Sequence, residues 1–186
     1  MASDLLPFPA PSTDVLVLRD ARRVSLHAIT PAARGVIADA VARMSPETSR
    51  RRFFTVRRQL SAPELDVLTV MDGVDRYAIG AVATRADGGP EGVASVRYVR
   101  IRGTPDAAEM ALVVMDNWQN RGLGAALLAR LAQYALRQGI VRFVGHVLPE
   151  SGPMIRLLLR FDARVGRVGD HLEFDLPLAA ALAHAA

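Results

Sequence analysis

Alternating apolar and polar positions predict the strands of this chain. The first two runs, "VLVLRD" and "VSLHAI", read as a hairpin whose turn lies at Asp20, Ala21 and Arg22. Later apolar runs, separated by turns rich in Gly, Asp and Pro, predict further strands at 76–84, 92–101, 107–115, 140–148, 164–168 and 171–176. The strands from 76 to 115 are joined by short turns, which favours antiparallel pairing among them.

Apolar positions at helical spacing, together with capping residues, predict the helices. Ser45 before Pro46 has the pattern of an N-cap, and Ser61 with Glu64 three residues later forms a capping box. The predicted helices lie at 31–43, 46–54, 62–72 and 153–161, and the most regular one has Leu123, Leu127, Leu131 and Tyr134 on one face and stops at Gly139. The order of strands and helices predicts a mixed α/β (α+β) domain.

Length and composition fit one globular domain. The chain has 186 residues, of which 51% are apolar and 23% charged, and it contains no repeat or long linker. We expect a flexible N-terminus at 1–13, a single domain at 14–177 and an Ala-rich tail at 178–186. The start lacks a basic segment followed by a long apolar one, so we expect a cytoplasmic protein without a membrane partner.

The distribution of charged residues limits the classes of binding partner that the chain suits. All 23 basic residues are Arg and they are spread along the chain, which suits acidic ligands and does not favour a nucleic-acid binder. Arg50, Arg51 and Arg52 form either a solvated face or part of a substrate mouth. There is no Cys, and the four His residues have no metal-ligand spacing, so no metal is predicted. His146 is expected to be a buried neutral imidazole.

The segment "DNWQNRGLG" (116–124) lies between a predicted strand and the most regular predicted helix. The first amides of a helix lack intrahelical acceptors and the helix dipole adds about half a positive charge there, so this position attracts anions. Gly122 and Gly124 let an anion approach where a Cβ would obstruct it. The dinucleotide fingerprint and the P-loop are excluded, because a third Gly and GK[ST] are missing. The residues alone leave a phosphate-binding loop and a plain tight turn both open.

Gln119 to Gly124 matches the Q/R-x-x-G-x-G/A signature of the GNAT superfamily of N-acetyltransferases. The segments "MSPETSRRRFF", "VRYVR" and "AEMALVVMDNWQNRGLG" look similar to the acetyltransferase domains of bacterial protein-lysine acetyltransferases, and the resemblance covers about 15–176. It implies a GNAT fold, with a central mixed, mostly antiparallel, splayed sheet flanked by helices. It also implies acetyl-CoA as co-substrate and no metal.

In the resembling proteins the pyrophosphate lies on this loop, and the pantetheine arm lies in the gap of the splayed sheet. The resemblance therefore implies a set of cofactor-binding residues, namely Leu112, Val113, Val114, Gln119, Asn120, Arg121, Gly122, Leu123, Gly124, Ala125 and Ser151. For Arg121 we expect both the side-chain charge and the backbone N–H to meet phosphate oxygens.

The resemblance also suggests two catalytic groups. An amine with a pKa of about 10.4 is neutral in about one part in 2,500 at pH 7, a deficit of about 4.6 kcal/mol that a base offsets. Glu109 stands where the resembling enzymes carry a catalytic Glu, and we expect it to act through water. A Glu that merely pairs with Arg97 is the alternative. The backbone N–H of Val114 is the expected donor to the thioester oxyanion.

Three departures from the family pattern lie just before, within and after the last predicted helix. Leu158 stands at the aligned place of a general-acid Tyr, Ser151 replaces an Asn, and Asp162-Ala163 replaces "GF". Tyr98 or Tyr77 could supply a proton, although each is more typical of a core aromatic.

Two functions therefore stay open. The first is direct N-acetyl transfer to a primary amine of a protein lysine or a small molecule, and the second is a catalytically weak acyl-CoA-binding sensor. Nothing in the sequence sets the oligomeric state, and a homodimer stays open.

Overall fold

The computed structural model of this chain describes residues 14–179. The predicted flexible N-terminus at 1–13, most of the predicted Ala-rich tail and His184 lie outside these residues. Within them no helix is long and apolar enough to cross a membrane.

Residues 14–179 form eight strands and five helices, which follow one another in the predicted order. The strands are β1 (Val15–Val17), β2 (Arg23–Ala28), β3 (Arg76–Thr84), β4 (Pro90–Ile101), β5 (Thr104–Val114), β6 (Arg142–Val147), β7 (Arg164–Val168) and β8 (His171–Pro177). The helices are α1 (Arg34–Arg43), α2 (Pro46–Phe53), α3 (Ala62–Thr69), α4 (Leu123–Arg137) and α5 (Gly152–Arg160). Short 3₁₀ turns precede α1 and α4 at Pro31–Ala33 and Asp116–Trp118.

The eight strands form one sheet in the order β1-β2-β3-β4-β5-β6-β8-β7. Every neighbouring pair is antiparallel except β5 and β6, which are parallel. The apolar face of α4 packs on β4 and β5 through Leu123, Leu127 and Leu131, all fully buried. The predicted mixed, mostly antiparallel sheet flanked by helices is confirmed.

The sheet splays open between β5 and β6. Their ladder covers only Ala107 to Glu109 opposite Arg142 to Val144. Beyond it, β5 continues to Val114 along β4, while β6 continues to Val147 along β8. The two strands therefore part just after Glu109 and leave a gap at their carboxyl ends.

Local capping explains the helices around this gap. The Ser45 hydroxyl accepts a hydrogen bond from the Thr48 N–H at 3.1 Å, and Ser61 and Glu64 form the predicted capping box. The α3 helix ends at Thr69, three residues before the predicted end. One carboxylate oxygen of Asp72 accepts the N–H groups of the three residues at 74–76, each at 2.8 Å, and this closes a turn that replaces the last helical turn.

Gly145 on β6 lets Phe174 of β8 pack against the start of the gap. An added Cβ at Gly145 would lie 2.8 Å from the Phe174 ring and 3.1 Å from the Met110 carbonyl oxygen. We therefore expect Gly145→Ala to lower the free energy of unfolding by about 1–3 kcal/mol through overpacking. Chemical denaturation measures this change. The matched control is Gly166→Ala on β7, where an added Cβ meets nothing within 4 Å; equal losses in both variants would contradict the packing argument.

Candidate active site

A cleft of about 430 Å³ occupies the gap between β5 and β6. Its walls are the carboxyl end of β5, the loop before α4, the start of α4, the end of β6 and one side of α5. Ten of the eleven residues expected to bind the cofactor line it, namely Leu112, Val113, Val114, Gln119, Asn120, Gly122, Leu123, Gly124, Ala125 and Ser151. Residues far apart in sequence thus meet in one concave site.

The loop before α4 reaches the cleft through two left-handed residues. Asn120 has φ 59° and Gly122 has φ 87°. Asn tolerates this region better than most residues, and Gly enters it without a steric penalty. Gly122 occupies the N-cap position and has no side chain to accept the first amides of α4. These amides, at the positive end of a 15-residue helix, remain donors for an anion in the cleft.

Three further cations line the cleft that the sequence did not single out. They are Arg19 from the β1–β2 turn, and Arg156 and Arg160 from α5. The Arg19 Nε lies 3.6 Å from where a Cβ of Gly122 would be, so its charge is next to the helix start. No spacing in the sequence connects these residues to the loop, because β1 and α5 approach it only in the folded chain.

The end of β5 presents backbone groups to the gap. The Met115 N–H donates to the Val93 carbonyl at 2.9 Å, on the side of β4. Because successive residues of a strand point their N–H and C=O in opposite directions, those of Leu112 and Val114 face the gap. The backbone groups of Val113 face β4. The expected pantetheine contact with the Val113 backbone therefore does not fit this register, whereas contacts with the other two residues do.

Side-chain hydrogen bonds fix the loop to β5 and α2. The Gln119 amide donates to the Val114 carbonyl at 3.0 Å and to the Thr48 hydroxyl at 3.4 Å. Asp116 accepts the hydroxyls of Ser45 and Thr48, each at 2.8 Å. Burial acts to raise the pKa of Asp116, but these hydrogen bonds hold it below its usual value. The carbonyl of Val114 thus has a partner within the protein, while its N–H points into the gap.

Arg121 is the one expected cofactor residue that does not line the cleft. Its guanidinium pairs with Asp20 and its Nε donates to the Asn117 carbonyl at 3.1 Å. These contacts direct the side chain to the β1–β2 turn. The expected contact between the Arg121 charge and a phosphate is therefore not supported by this geometry, and Arg19 occupies the position nearer the helix start.

Glu109 lies on the cleft wall where β5 and β6 part, and its side chain is exposed. It points to the same sheet face as Ala111 and Val113, opposite the face that packs on α4. The charges of Arg52 and Arg97 each interact with the carboxylate of Glu109. Burial, with the like charge of Arg97, lowers the pKa of Arg52 to about 10, and the charge of Glu109 opposes this change. The Arg97 guanidinium donates to the Val67 carbonyl, and no ion pair with Glu109 is formed.

The α5 helix presents a mixed apolar and basic side to the cleft. Met154 and Leu157 line the cleft, whereas Leu158 is fully buried in the core. The residue aligned with the general-acid Tyr, Leu158, therefore points into the core, and its neighbour Leu157 faces the cleft. Ser151 is 2% exposed, and its hydroxyl has no hydrogen-bond partner among the described residues. That hydroxyl is a buried polar group at the wall of the cleft.

The tyrosines belong to the core. The Tyr98 hydroxyl donates to the Val74 carbonyl at 3.0 Å, and burial raises the pKa of Tyr98. Tyr77 stacks on Tyr134 with ring centroids 3.6 Å apart. None of the three lines the cleft, so neither Tyr98 nor Tyr77 is placed to act on a substrate there.

His146 is exposed on the cleft wall, and the expected buried imidazole is wrong. Its strand buries Phe143, Gly145 and Val147, so the intervening positions point to the opposite, open face. Arg51, Arg52 and the exposed Phe54, which has φ 60°, also line the cleft, whereas Arg50 is exposed and pairs with Glu150 at 3.1 Å. The run of three arginines therefore divides between solvent and the cleft.

Comparison with known proteins identifies a family pattern over most of this site. The sequence model of the Acetyltransferase (GNAT) family matches residues 44–162. The acetyltransferase Pat of Mycolicibacterium smegmatis is 34% identical over 119 residues, which are 64% of this chain and 34% of that protein. The matched part is thus about a third of the length of that relative.

Solved structures share the fold. The GNAT domain of S. lividans PAT superposes with a TM-score of 0.80 and 31% identity, covering 91% of this chain and 99% of that one. The yncA protein of Salmonella typhimurium, solved with its cofactor acetyl-CoA, superposes with a TM-score of 0.64 and 17% identity, covering 83% and 94%. At 17% identity, the similarity to yncA shows only that the two proteins share a fold.

Proposed function

Because the chain belongs to the GNAT acetyltransferase family, we propose that it transfers the acetyl group of acetyl-CoA directly to a primary amine. The single observation that carries this proposal is the cleft at the splay, where the uncapped start of α4 and the free edge of β5 face the same space. Residues 14–177 would form the catalytic domain. The amine belongs to a protein lysine or to a small molecule.

In the proposed complex the pyrophosphate lies against the first amides of α4. Leu123, Gly124 and Ala125 supply N–H groups, and the loop through Gln119, Asn120 and Gly122 shapes the approach. Arg19 adds a charge beside the same helix start. The pantetheine arm extends along β5 and bonds to the gap-facing backbone of Leu112 and Val114. The Ser151 hydroxyl, which lacks a partner among the described residues, would bond to the cofactor from the opposite wall.

The proposed acetyl transfer requires groups that stabilise the charges formed on the amine, the thioester oxygen and the sulfur. Glu109 accepts the proton of the amine through water, since it lies five residues before Val114 on the strand and is exposed to the cleft. The amine attacks the thioester carbon, and the Val114 N–H donates to the carbonyl oxygen as its charge grows. Sulfur leaves as thiolate. With a thiol pKa of about 8.5, departure without a general acid costs on the order of 2 kcal/mol at pH 7.

The test is acetyl transfer itself. Purified protein is incubated with isotopically labelled acetyl-CoA and a panel of amines that includes lysine-bearing proteins, and products are identified by mass spectrometry. The proposal expects one labelled acetyl group on an amine and release of one CoA thiol. Acetyl-CoA binding without transfer to any acceptor would overturn it.

Acetyl-CoA binding without transfer is the result expected of the alternative function, a catalytically weak acyl-CoA-binding sensor. One observation favours the alternative: α5 brings Met154 and Leu157 to the cleft and offers no hydroxyl acid. The low cost of releasing the thiolate weighs against the sensor, because about 2 kcal/mol slows acetyl transfer roughly thirtyfold and does not prevent it.

Arg52 is expected to favour acceptors with a carboxylate near the amine. Its partly buried guanidinium lies over the Phe53 ring at 5.0 Å, and the described residues give it no hydrogen-bond partner. We expect Arg52→Gln to raise the KM of a lysine peptide flanked by Asp about tenfold, the value of one charge-assisted hydrogen bond. The same peptide with Gln in place of Asp should show little change. Steady-state kinetics with both peptides measure this, and Arg50→Gln, on the same helix and outside the cleft, is the control.

A further inference from the structure

Three side chains of the kinds that bind metal ions lie together beside the cleft, although their spacing in the sequence gives no sign of it. His146 on β6 is directly opposite Glu173 on β8, and His171 lies two residues before Glu173 on the same strand. All three therefore project from one face of the sheet. One nitrogen of each imidazole and one carboxylate oxygen of Glu173 all lie within 4.8 Å of one another.

The distances suit an ion better than direct hydrogen bonds. The His146 Nδ1 and the His171 Nε2 each lie 3.8 Å from the same oxygen of Glu173. This exceeds hydrogen-bond range. Around a tetrahedral ion with bonds of about 2.1 Å, neighbouring ligand atoms are about 3.4 Å apart. All three side chains are partly exposed, so small rotations close the remaining difference.

The surroundings support the same arrangement. The other nitrogen of His171, Nδ1, lies 3.1 Å from the Asp170 carboxylate. A carboxylate on the far nitrogen of a metal-binding imidazole fixes its orientation and raises its basicity. On the neighbouring strand β7 the residue opposite Glu173 is Gly166, and because it has no side chain, the space beside the carboxylate is open. In this Arg-rich chain the two imidazoles are the only ion-pair partners of Glu173 among the described residues.

We propose that His146, His171 and Glu173 bind a divalent transition-metal ion of the Zn²⁺ class. Two imidazoles and a carboxylate form a donor set that suits such ions, with water in the fourth position. Because His146 lines the cleft and shares a sheet face with Glu109, a bound ion adds positive charge on the side where the amine is proposed to enter. Occupancy is then expected to slow transfer to a cationic amine severalfold.

Calorimetric titration with Zn²⁺ alone tests the site on the full chain at pH 7.5, and Co²⁺ absorbance reports the coordination. We expect one ion per chain, with at least tenfold weaker binding in His171→Ala and in the nearly isosteric Glu173→Gln. The control is His27→Ala, which removes a histidine on β2 and should bind as the unmodified protein does. Equal binding by all four proteins, or none to the unmodified protein, would overturn the proposal.

The effect on transfer has a separate readout. Zn²⁺ should slow transfer in the unmodified protein and leave the rate of His171→Ala unchanged. Inhibition that persists in His171→Ala would refute the assignment of this effect to the cluster. The calorimetric result requires no acetyl transfer, so failure of the metal site and failure of the proposed acetyltransferase activity are distinguishable.

Discussion

Glu109→Gln is expected to lower the single-turnover rate of acetyl transfer about 100-fold, the lower end of the usual contribution of a general base. The substitution keeps the shape and removes the proton acceptor. Glu109 is exposed on the cleft wall and has no ion-pair partner among the described residues, so little change in stability should accompany it. Acetyl-CoA affinity should stay the same, because Glu109 lies five residues before the end of β5 and outside the loop that precedes α4.

A pH profile separates loss of the base from a general disturbance of the cleft. Without the base, only amine that is already neutral reacts, so the rate of the variant should rise tenfold per pH unit up to the amine pKa of about 10.4. The unmodified protein should level off at lower pH. Glu150→Gln serves as the matched control, since Glu150 pairs with Arg50 outside the cleft. An unchanged single-turnover rate in Glu109→Gln would remove Glu109 from the mechanism.

Gly124→Asp is expected to weaken coenzyme A binding about 100-fold or more, because a carboxylate would occupy the place proposed for the pyrophosphate. Two like charges about 4 Å apart near a protein surface repel by several kcal/mol. The added Cβ is accommodated, since it would be no closer than 3.5 Å to the side chains of Leu112 and Leu157. Calorimetric titration with coenzyme A measures the affinity.

The fold itself should tolerate Gly124→Asp. Replacing Gly in a helix and placing a negative charge in the first turn both favour α4, the latter by about 0.3–1 kcal/mol. The expected combination is therefore lost cofactor affinity with an unchanged or raised melting temperature. Ala126→Asp adds the same charge two residues later, at a position that does not line the cleft, and should bind coenzyme A normally. Equal losses in the two variants would point to net charge and not to the helix start.

Much of the fold could be predicted from local patterns. The strand at Arg76–Thr84 has the predicted bounds, and the predicted caps at Ser45 and Ser61 are both formed. Alternation, capping and turn chemistry act within a few residues, so they are readable from sequence. The end of α3 was misjudged because one carboxylate, Asp72, closes a turn where apolar spacing still favoured a helix.

The candidate site could be predicted in part. The "QNRGLG" loop and Glu109 were predicted from a motif and the family resemblance that it carries, and Glu109 and every loop residue except Arg121 line the cleft. Arg19 and Arg156 were missed, because they belong to segments more than 100 residues apart in the chain. The Arg121 side chain was expected at the phosphate and instead pairs with Asp20, since the folded β1–β2 turn supplies a carboxylate beside it.

The sequence by itself determined the order of strands and helices, the Gly-containing loop before α4 and the family resemblance, all of which are carried by short local patterns. Only the tertiary structure decided where the sheet opens, which of the α5 leucines faces the cleft and that His146 is exposed beside His171 and Glu173. These outcomes depend on the register of β6 against β5 and β8 and on the rotation of a helix. The register depends on contacts between strands that are distant in the chain, and the rotation of α5 depends on how its apolar side packs in the core, so neither is fixed by neighbouring residues alone.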